Sequence, residues 1–187
     1  MHENESRYTL DEYWKLVEAF PDHKYEYVDG YIRKMSRGTV AHSEISMNIG
    51  ATLHAALRES ECHIYSSNVI AQLTEKHCYC PDVTVSCDPQ AWRSKDALDA
   101  PGVVVEVLYA FTEKIDKLEK LPAYQKCPTI QEILLVESRK RYVEHYKRTG
   151  SHRWDVAFYE DVGDSIELSS IKVKLSMKDI YLKVHLE

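Results

Sequence analysis

Apolar residues recur at helical intervals in three places along the chain. Tyr13, Leu16, Val17 and Phe20 follow Thr9 and Glu12, whose spacing is that of a capping box, so a first helix is predicted from about Leu10 to Ala19, ended by Pro21. Ile45, Ile49, Leu53, Ala56 and Leu57 form a stripe between His42 and about Glu59, with His42 in line at its first turn. In TEKIDKLEKLPAY, Ile115, Leu118 and Leu121 repeat at three-residue spacing; Thr112 can cap the start, and Pro122 should kink or divide the helix.

Between these helices the pattern is that of strands. YEYVDGYIRKM carries aromatic and β-branched residues on either side of Asp29-Gly30, the strongest short-range hairpin signal. Short β-like runs at His63 to Tyr65, Val69 to Leu73 and Cys80 to Cys87 precede a polar loop from Gln90 to Pro101. GVVVEVL then predicts a central strand, and EILLV and RYVEHYK two more, with RTGSHR as a loop. The tail alternates as SIELSSIKVKL before a short helix near Met177 to Leu182. Helices and strands interleave, so the class is α/β or mixed α+β, with at least one strand buried on both faces.

At 187 residues the chain has the length of a single domain with a core of its own, and we read 1–187 as one. A composition 44% hydrophobic and 29% charged, with 6 Gly and 6 Pro, is globular, and no fixed-period repeat points to a solenoid. The longest apolar stretch, Gly102 to Phe111, is too short to cross a bilayer and holds Glu106 at its centre. MHENESRYTL lacks the basic start and apolar run of a secretory signal, and five cysteines without a CxxC pair fit a reducing compartment, so a cytoplasmic protein with free thiols is expected. His77, Cys78, Cys80 and Cys87 are zinc-ligand types, but adjacent His77 and Cys78 point to opposite faces of a strand, which favours buried thiols. A formal net charge of -6 argues against coating nucleic acid through bulk electrostatics. One segment departs from it: Arg139, Lys140, Arg141, Lys147, Arg148 and Arg153 face a single acid, Glu144, either as a solvated hairpin or as a nucleic-acid contact.

Two acids carry the candidate chemistry. In GVVVEVL the side chains alternate, which puts Glu106 in a core strand where it must be paired, protonated or bound to a cation. A structural ion pair would serve it as well as a metal. In CPDVTV, Asp82 shares a face with Thr84 and would alone be read as a strand-end residue. Together, on strands that the intervening loop can lay side by side, Asp82 and Glu106 offer hard oxygen ligands suited to Mg²⁺ or Mn²⁺.

The stretches YEYVDGYI, AHSEIS, CPDVTV, APGVVVEVL, the set Thr112, Asp116, Lys120 and Tyr124, and then QEILLVES and KRYVEHY resemble, in that order, the Uma family of putative endonucleases. This is a branch of the PD-(D/E)XK restriction-endonuclease-like superfamily, and the resemblance runs from about Tyr8 to Tyr181. It implies a restriction-endonuclease-like core, a central mixed sheet flanked by helices, with an additional N-terminal helix and hairpin. It also implies a divalent-metal-dependent nuclease acting on DNA, with Asp82 and Glu106 as metal ligands, the Val107 carbonyl as a further ligand, and a dimer as in related nucleases. Leu108 stands where the superfamily has its lysine; the resemblance assigns that part to Lys120 on the following helix, where Lys114 and Lys117 are the other candidates. Tyr109-Ala110-Phe111 replaces a Ser-Pro-Ser-like turn. Glu26 and His42 match further positions: a third acid could complete a metal site, and a histidine near a helix N-terminus could contact the scissile phosphate. The alternative is a nuclease-like scaffold that binds nucleic acid or a protein partner without turnover.

Overall fold

Thr9 and Glu12 start the first helix as their spacing requires. The Thr9 N–H donates to Glu12 Oε2 at 2.7 Å and the Glu12 N–H to Thr9 Oγ1 at 3.2 Å, which caps α1 (Leu10–Ala19). A computed structural model describes residues 7–91, 97–110 and 112–186; Phe111 and part of the expected Gln90 to Pro101 loop lie outside the described residues. The Asp29-Gly30 turn has φ of 46° and 93°, the positive values that such a turn demands, and joins β1 (Tyr25–Val28) to β2 (Tyr31–Lys34). After α2 (Val40–Leu57) and β3 (His63–Ser66), β4 (Ala71–Thr74) and β5 (His77–Tyr79) complete an antiparallel sheet in the order β2-β1-β5-β4. Tyr13 of α1 packs there with Tyr27, Ile70, Cys78 and Cys80.

The expected run from Cys80 to Cys87 is not one strand. It breaks at Cys80, Pro81 and Asp82, and β6 (Val83–Ser86) enters a second sheet, because Pro81 can give no ladder hydrogen bond. β7 (Val103–Leu108), β8 (Glu132–Glu137), β9 (Val143–Gly150) and β10 (Arg153–Tyr159) complete that sheet in the order β10-β9-β8-β7-β6-β3, mixed because β7 and β8 run parallel. RTGSHR therefore belongs largely to strands. β10 escaped the sequence reading because most of its residues are exposed on both faces, which leaves little alternation to detect.

Val103, Val105 and Val107 of β7 pack on Ile45, Ile49, Leu53 and Leu57 of α2. The hairpin of β11 (Ser165–Leu168) and β12 (Val173–Ser176), with the closing helix Met177–Ile180, joins the same layer. Val104 and Leu108 face the other way, against Leu121, Tyr124 and Cys127. The third helix is interrupted. An α turn, Glu113–Ile115, leads into a π turn, Asp116–Lys120, and then into a second α segment, Leu121–Lys126. Here the Leu121 N–H bonds to the Asp116 carbonyl, five residues back. Pro122 has no N–H to give Leu118 and its ring would crowd that carbonyl, so the widened turn is the form its disruption takes. Thr112 makes no side-chain cap.

The thiols correct another expectation. Continuing the β3–β6 register, in which His63 faces Ser86, sets Cys62 opposite Cys87, and the two form a disulfide. Cys78, Cys80 and Cys127 are free and buried, so the suggested zinc set is broken up by the pairing of Cys87. Among the described residues no helix is long and apolar enough to cross a membrane.

Candidate active site

Val83 faces Val105 and Thr84 faces Val104 across the antiparallel β6–β7 pair. One step further this register sets Asp82 opposite Glu106, and directly opposed residues project to the same face. The two acids thus stand just past the end of the β6–β7 pairing, on the face that carries the interrupted helix. Asp82 Oδ2 accepts the Val107 N–H at 2.7 Å and faces His42 Nε2 at 3.1 Å. Its Oδ1 takes no hydrogen bond among the described residues. Val107 thus meets Asp82 through its N–H.

Glu106 is 3% exposed. Its Oε1 accepts the Tyr124 hydroxyl at 2.5 Å and the Lys120 ammonium at 3.2 Å, while Oε2 has no hydrogen-bond partner among the described residues. Burial drives its pKa well above the ordinary carboxylate range; Lys120 opposes this, and Asp116, Asp82 and Glu26 reinforce it. Tyr124, buried beside that carboxylate, also has its pKa raised, by burial first and then by the charge of Glu106.

Lys120 is not an exposed helix partner. It is 3% exposed, and its Nζ lies 2.9 Å from Glu26 Oε1, 3.2 Å from Glu106 Oε1 and 3.3 Å from Asp116 Oδ1. Burial disfavours its charge, but Glu106, Glu26 and Asp116 outweigh burial and hold it as an ammonium. Lys117 turns instead to Glu144 at 2.8 Å and Glu113 at 3.4 Å, and Lys114 is exposed. Of the three lysines, Lys120 alone pairs with Glu106 or Glu26.

Glu26 closes the cluster from the smaller sheet. Its Oε2 accepts Arg33 Nη2 at 2.7 Å, and its Oε1 accepts the Cys80 N–H at 3.2 Å besides facing Lys120. Burial raises the Glu26 pKa, but Lys120 and Arg33 more than offset this and leave it lowered. Arg33 also reaches Glu119 Oε1 at 2.9 Å, so one guanidinium ties β2 to the π turn. His42 is the third residue of α2, whose N-cap is Thr39, and it meets Tyr109 edge to face at 5.6 Å. The chain passes over it at Gly38, where a Cβ would stand 2.7 Å from His42 Nδ1.

Of these groups Glu26, Arg33, His42, Asp82, Asp116 and Lys120 line a cavity of about 890 Å³, whereas Glu106 and Tyr124 are not among its lining residues. All five residues singled out from the sequence, Asp82, Glu106, Lys120, Glu26 and His42, come together through these contacts. Three further members, Arg33, Asp116 and Tyr124, had signals. The Asp29-Gly30 hairpin register pairs Arg33 with Glu26, and Asp116, Lys120 and Tyr124 follow at four-residue steps. As they stand, the carboxylates turn to Lys120, Tyr124, His42 and the Val107 N–H. No three His, Cys, Asp or Glu side chains among the described residues are set to hold one ion.

The family model Uma2, "Putative restriction endonuclease", matches residues 10–179. The chain is 34% identical over 159 residues to "Uncharacterized protein slr1290" of Synechocystis sp., covering 84% of this chain and 83% of the relative. It is 26% identical over 168 residues to "Uncharacterized protein sll1609" of the same organism, covering 88% and 94%. The crystal structure of a putative nuclease belonging to DUF820 from Anabaena variabilis superposes with a TM-score of 0.73 at 19% identity, over 92% of this chain and 97% of that one. At that identity the likeness establishes the shared mixed α+β, restriction-endonuclease-like fold.

Proposed function

This chain belongs to the Uma2 family, described as putative restriction endonucleases, and we propose that it is a divalent-metal-dependent nuclease that hydrolyses phosphodiester bonds in DNA. The observation that carries this reading is the pairing of Asp82 and Glu106 at the end of one strand pair, each with one oxygen, Oδ1 and Oε2, that takes no hydrogen bond among the described residues. The donor chemistry fits Mg²⁺ or Mn²⁺. The oxygens are hard, and four carboxylates, Asp82, Glu106, Asp116 and Glu26, are set against two fixed cations, Lys120 and Arg33. Asp82 and Glu106 would hold the ion, with the Val107 carbonyl as a further oxygen; when bound, it supplies Lewis-acid stabilisation of the phosphoryl charge and a more acidic water.

The chain's own groups do the rest. His42 fixes Asp82 through Oδ2, so that Oδ1 is the oxygen available to a ligand. Tyr124 and Lys120 fix Glu106 through Oε1 in the same way. Glu26 has both oxygens engaged and serves to hold Lys120 at the cavity floor. Lys120, an ammonium whose three donors face Glu26, Glu106 and Asp116, exchanges one of these contacts to orient the attacking water and meets charge on the transferring phosphoryl oxygens.

Cleavage of single-stranded, duplex and branched DNA with Mg²⁺ or Mn²⁺ tests the reading. Activity in the wild type should fall on the order of 10²-fold or more in Glu106→Gln and in Lys120→Met, compared at equal folded fraction. Absence of cleavage of any DNA or RNA substrate with either metal would replace the enzyme by a catalytically silent scaffold. The present turning of the carboxylates toward Lys120 and Tyr124 is the observation that favours that second reading.

A further inference from the structure

Two groups of cations stand out in this acidic protein. Those of segment 139–153 are partly committed to the fold. Arg139 is bound to Glu137 at 2.6 Å and to Glu113 at 2.8 Å. Arg148 donates to the carbonyls of Cys127 at 2.6 Å, Ile130 at 2.7 Å, and Gln125 and Ser151 at 3.0 Å, and lies over the Trp154 ring at 4.3 Å. The cations at the mouth of the cavity differ. The side chains of Lys34 and Arg37 are exposed and make no ion pair or hydrogen bond among the described residues, where the Lys24 ammonium reaches only Ser67 Oγ, at 2.7 Å.

This rim is fixed to the strand that carries Glu106. Arg37 stands in the connection from β2 to α2, beside Ser36, whose hydroxyl meets the Tyr109 hydroxyl at 2.6 Å; Tyr109 directly follows β7. Cations at the mouth thus stand above carboxylates on the floor of one cavity. That arrangement repels a simple anion from the floor and suits a chain of anions, one met at the floor through a bound cation and its neighbours met directly by the rim.

We propose that Lys24, Lys34 and Arg37 hold the backbone phosphates flanking the scissile one, so that the nucleic acid crosses the mouth of the cavity between β2 and the start of α2 instead of lying on the β9–β10 hairpin. The proposal rests on the nuclease reading and names the track its substrate follows. Exposed side chains without partners cost the fold little when removed, so the variants that test it should remain folded.

The test is fluorescence anisotropy with a labelled mixed-sequence DNA duplex and its single strand, in EDTA to prevent turnover, across a salt series. Lys34→Ala/Arg37→Ala should weaken binding and reduce the slope of log affinity against log salt by about 1.8 for duplex, two contacts at about 0.9 each. Lys140→Ala/Arg141→Ala should leave the slope as in the wild type, and Lys34→Arg/Arg37→Lys should restore it. An unchanged slope in the rim variant, a loss confined to the hairpin variant, or no binding of either probe by the wild type would overturn the proposal. Cleavage is read separately. A rim effect in a protein that never cleaves refutes the enzyme and keeps the track, whereas cleavage with an unaffected rim variant refutes the track and keeps the enzyme.

Discussion

Lys120 Nζ lies 3.2 Å from Glu106 Oε1, a contact between the π turn of the crossover and the strand that precedes it. The same ammonium reaches Glu26 on the smaller sheet at 2.9 Å, so one buried cation joins three elements that share no ladder. Removing a charge of this kind leaves its partners buried and uncompensated, which costs far more than the loss of a surface pair.

Lys120→Met should therefore destabilise the fold by about 3 kcal/mol near neutral pH. Urea denaturation in EDTA measures it, and added Mn²⁺ should recover part of the loss by binding the folded state only. A change below about 1 kcal/mol would mean that the lysine behaves as an exposed helix partner.

Glu132 is a second buried anchor, remote from the cavity. It accepts the N–H groups of Ser169 at 3.2 Å and Ser170 at 2.9 Å, the Ser170 hydroxyl, and His145 Nε2 at 3.1 Å, which ties the β11–β12 turn to the core of the large sheet. Burial raises its pKa, but the bonds from His145 and Ser170 outweigh burial and leave it lowered. With a lowered folded-state pKa, its stabilisation is whole above the unfolded value of about 4.3 and is lost as pH falls through the folded value. Glu132→Ala should cost about 3 kcal/mol at neutral pH, and Glu132→Gln should show a shallower fall of stability below about pH 4 than the wild type. Thermal melts across pH check both, and parallel acid profiles would remove Glu132 from the account.

Arg148 sits in the basic segment, yet its donors are spent on carbonyls. Arg148→Lys should lower stability by about 2 kcal/mol, since a single ammonium cannot reproduce the fork or the stacking on Trp154. The salt dependence of DNA binding by the folded variant should match the wild type. A reduced slope with unchanged stability would return this residue to a nucleic-acid surface.

What could be read from sequence follows from how local the controlling physics is. The capping box at Thr9, the Asp29-Gly30 turn and the valine alternation of β7 act over a few residues, and each was legible. Glu106 stood out because a carboxylate in an apolar strand demands a partner, and Asp82, by itself a strand-end acid, drew its meaning from being set beside it. Whether Lys120 is buried depends on a π turn and on Glu26 from a different sheet, which no helical period reveals. The Cys62–Cys87 bond depends on β3 pairing with β6, and Cys62 lies 25 residues before its partner. β10 gave no signal because neither of its faces is fully covered.

The account turns on a divalent cation sharing Asp82 and Glu106. Calorimetric titration of Mn²⁺ into the wild type, Asp82→Asn and Glu106→Gln reads this directly, without reference to any substrate. The account predicts a single site in the wild type that is weakened by roughly tenfold or more in each variant. Equal affinity in all three proteins, or no binding by the wild type, would contradict it.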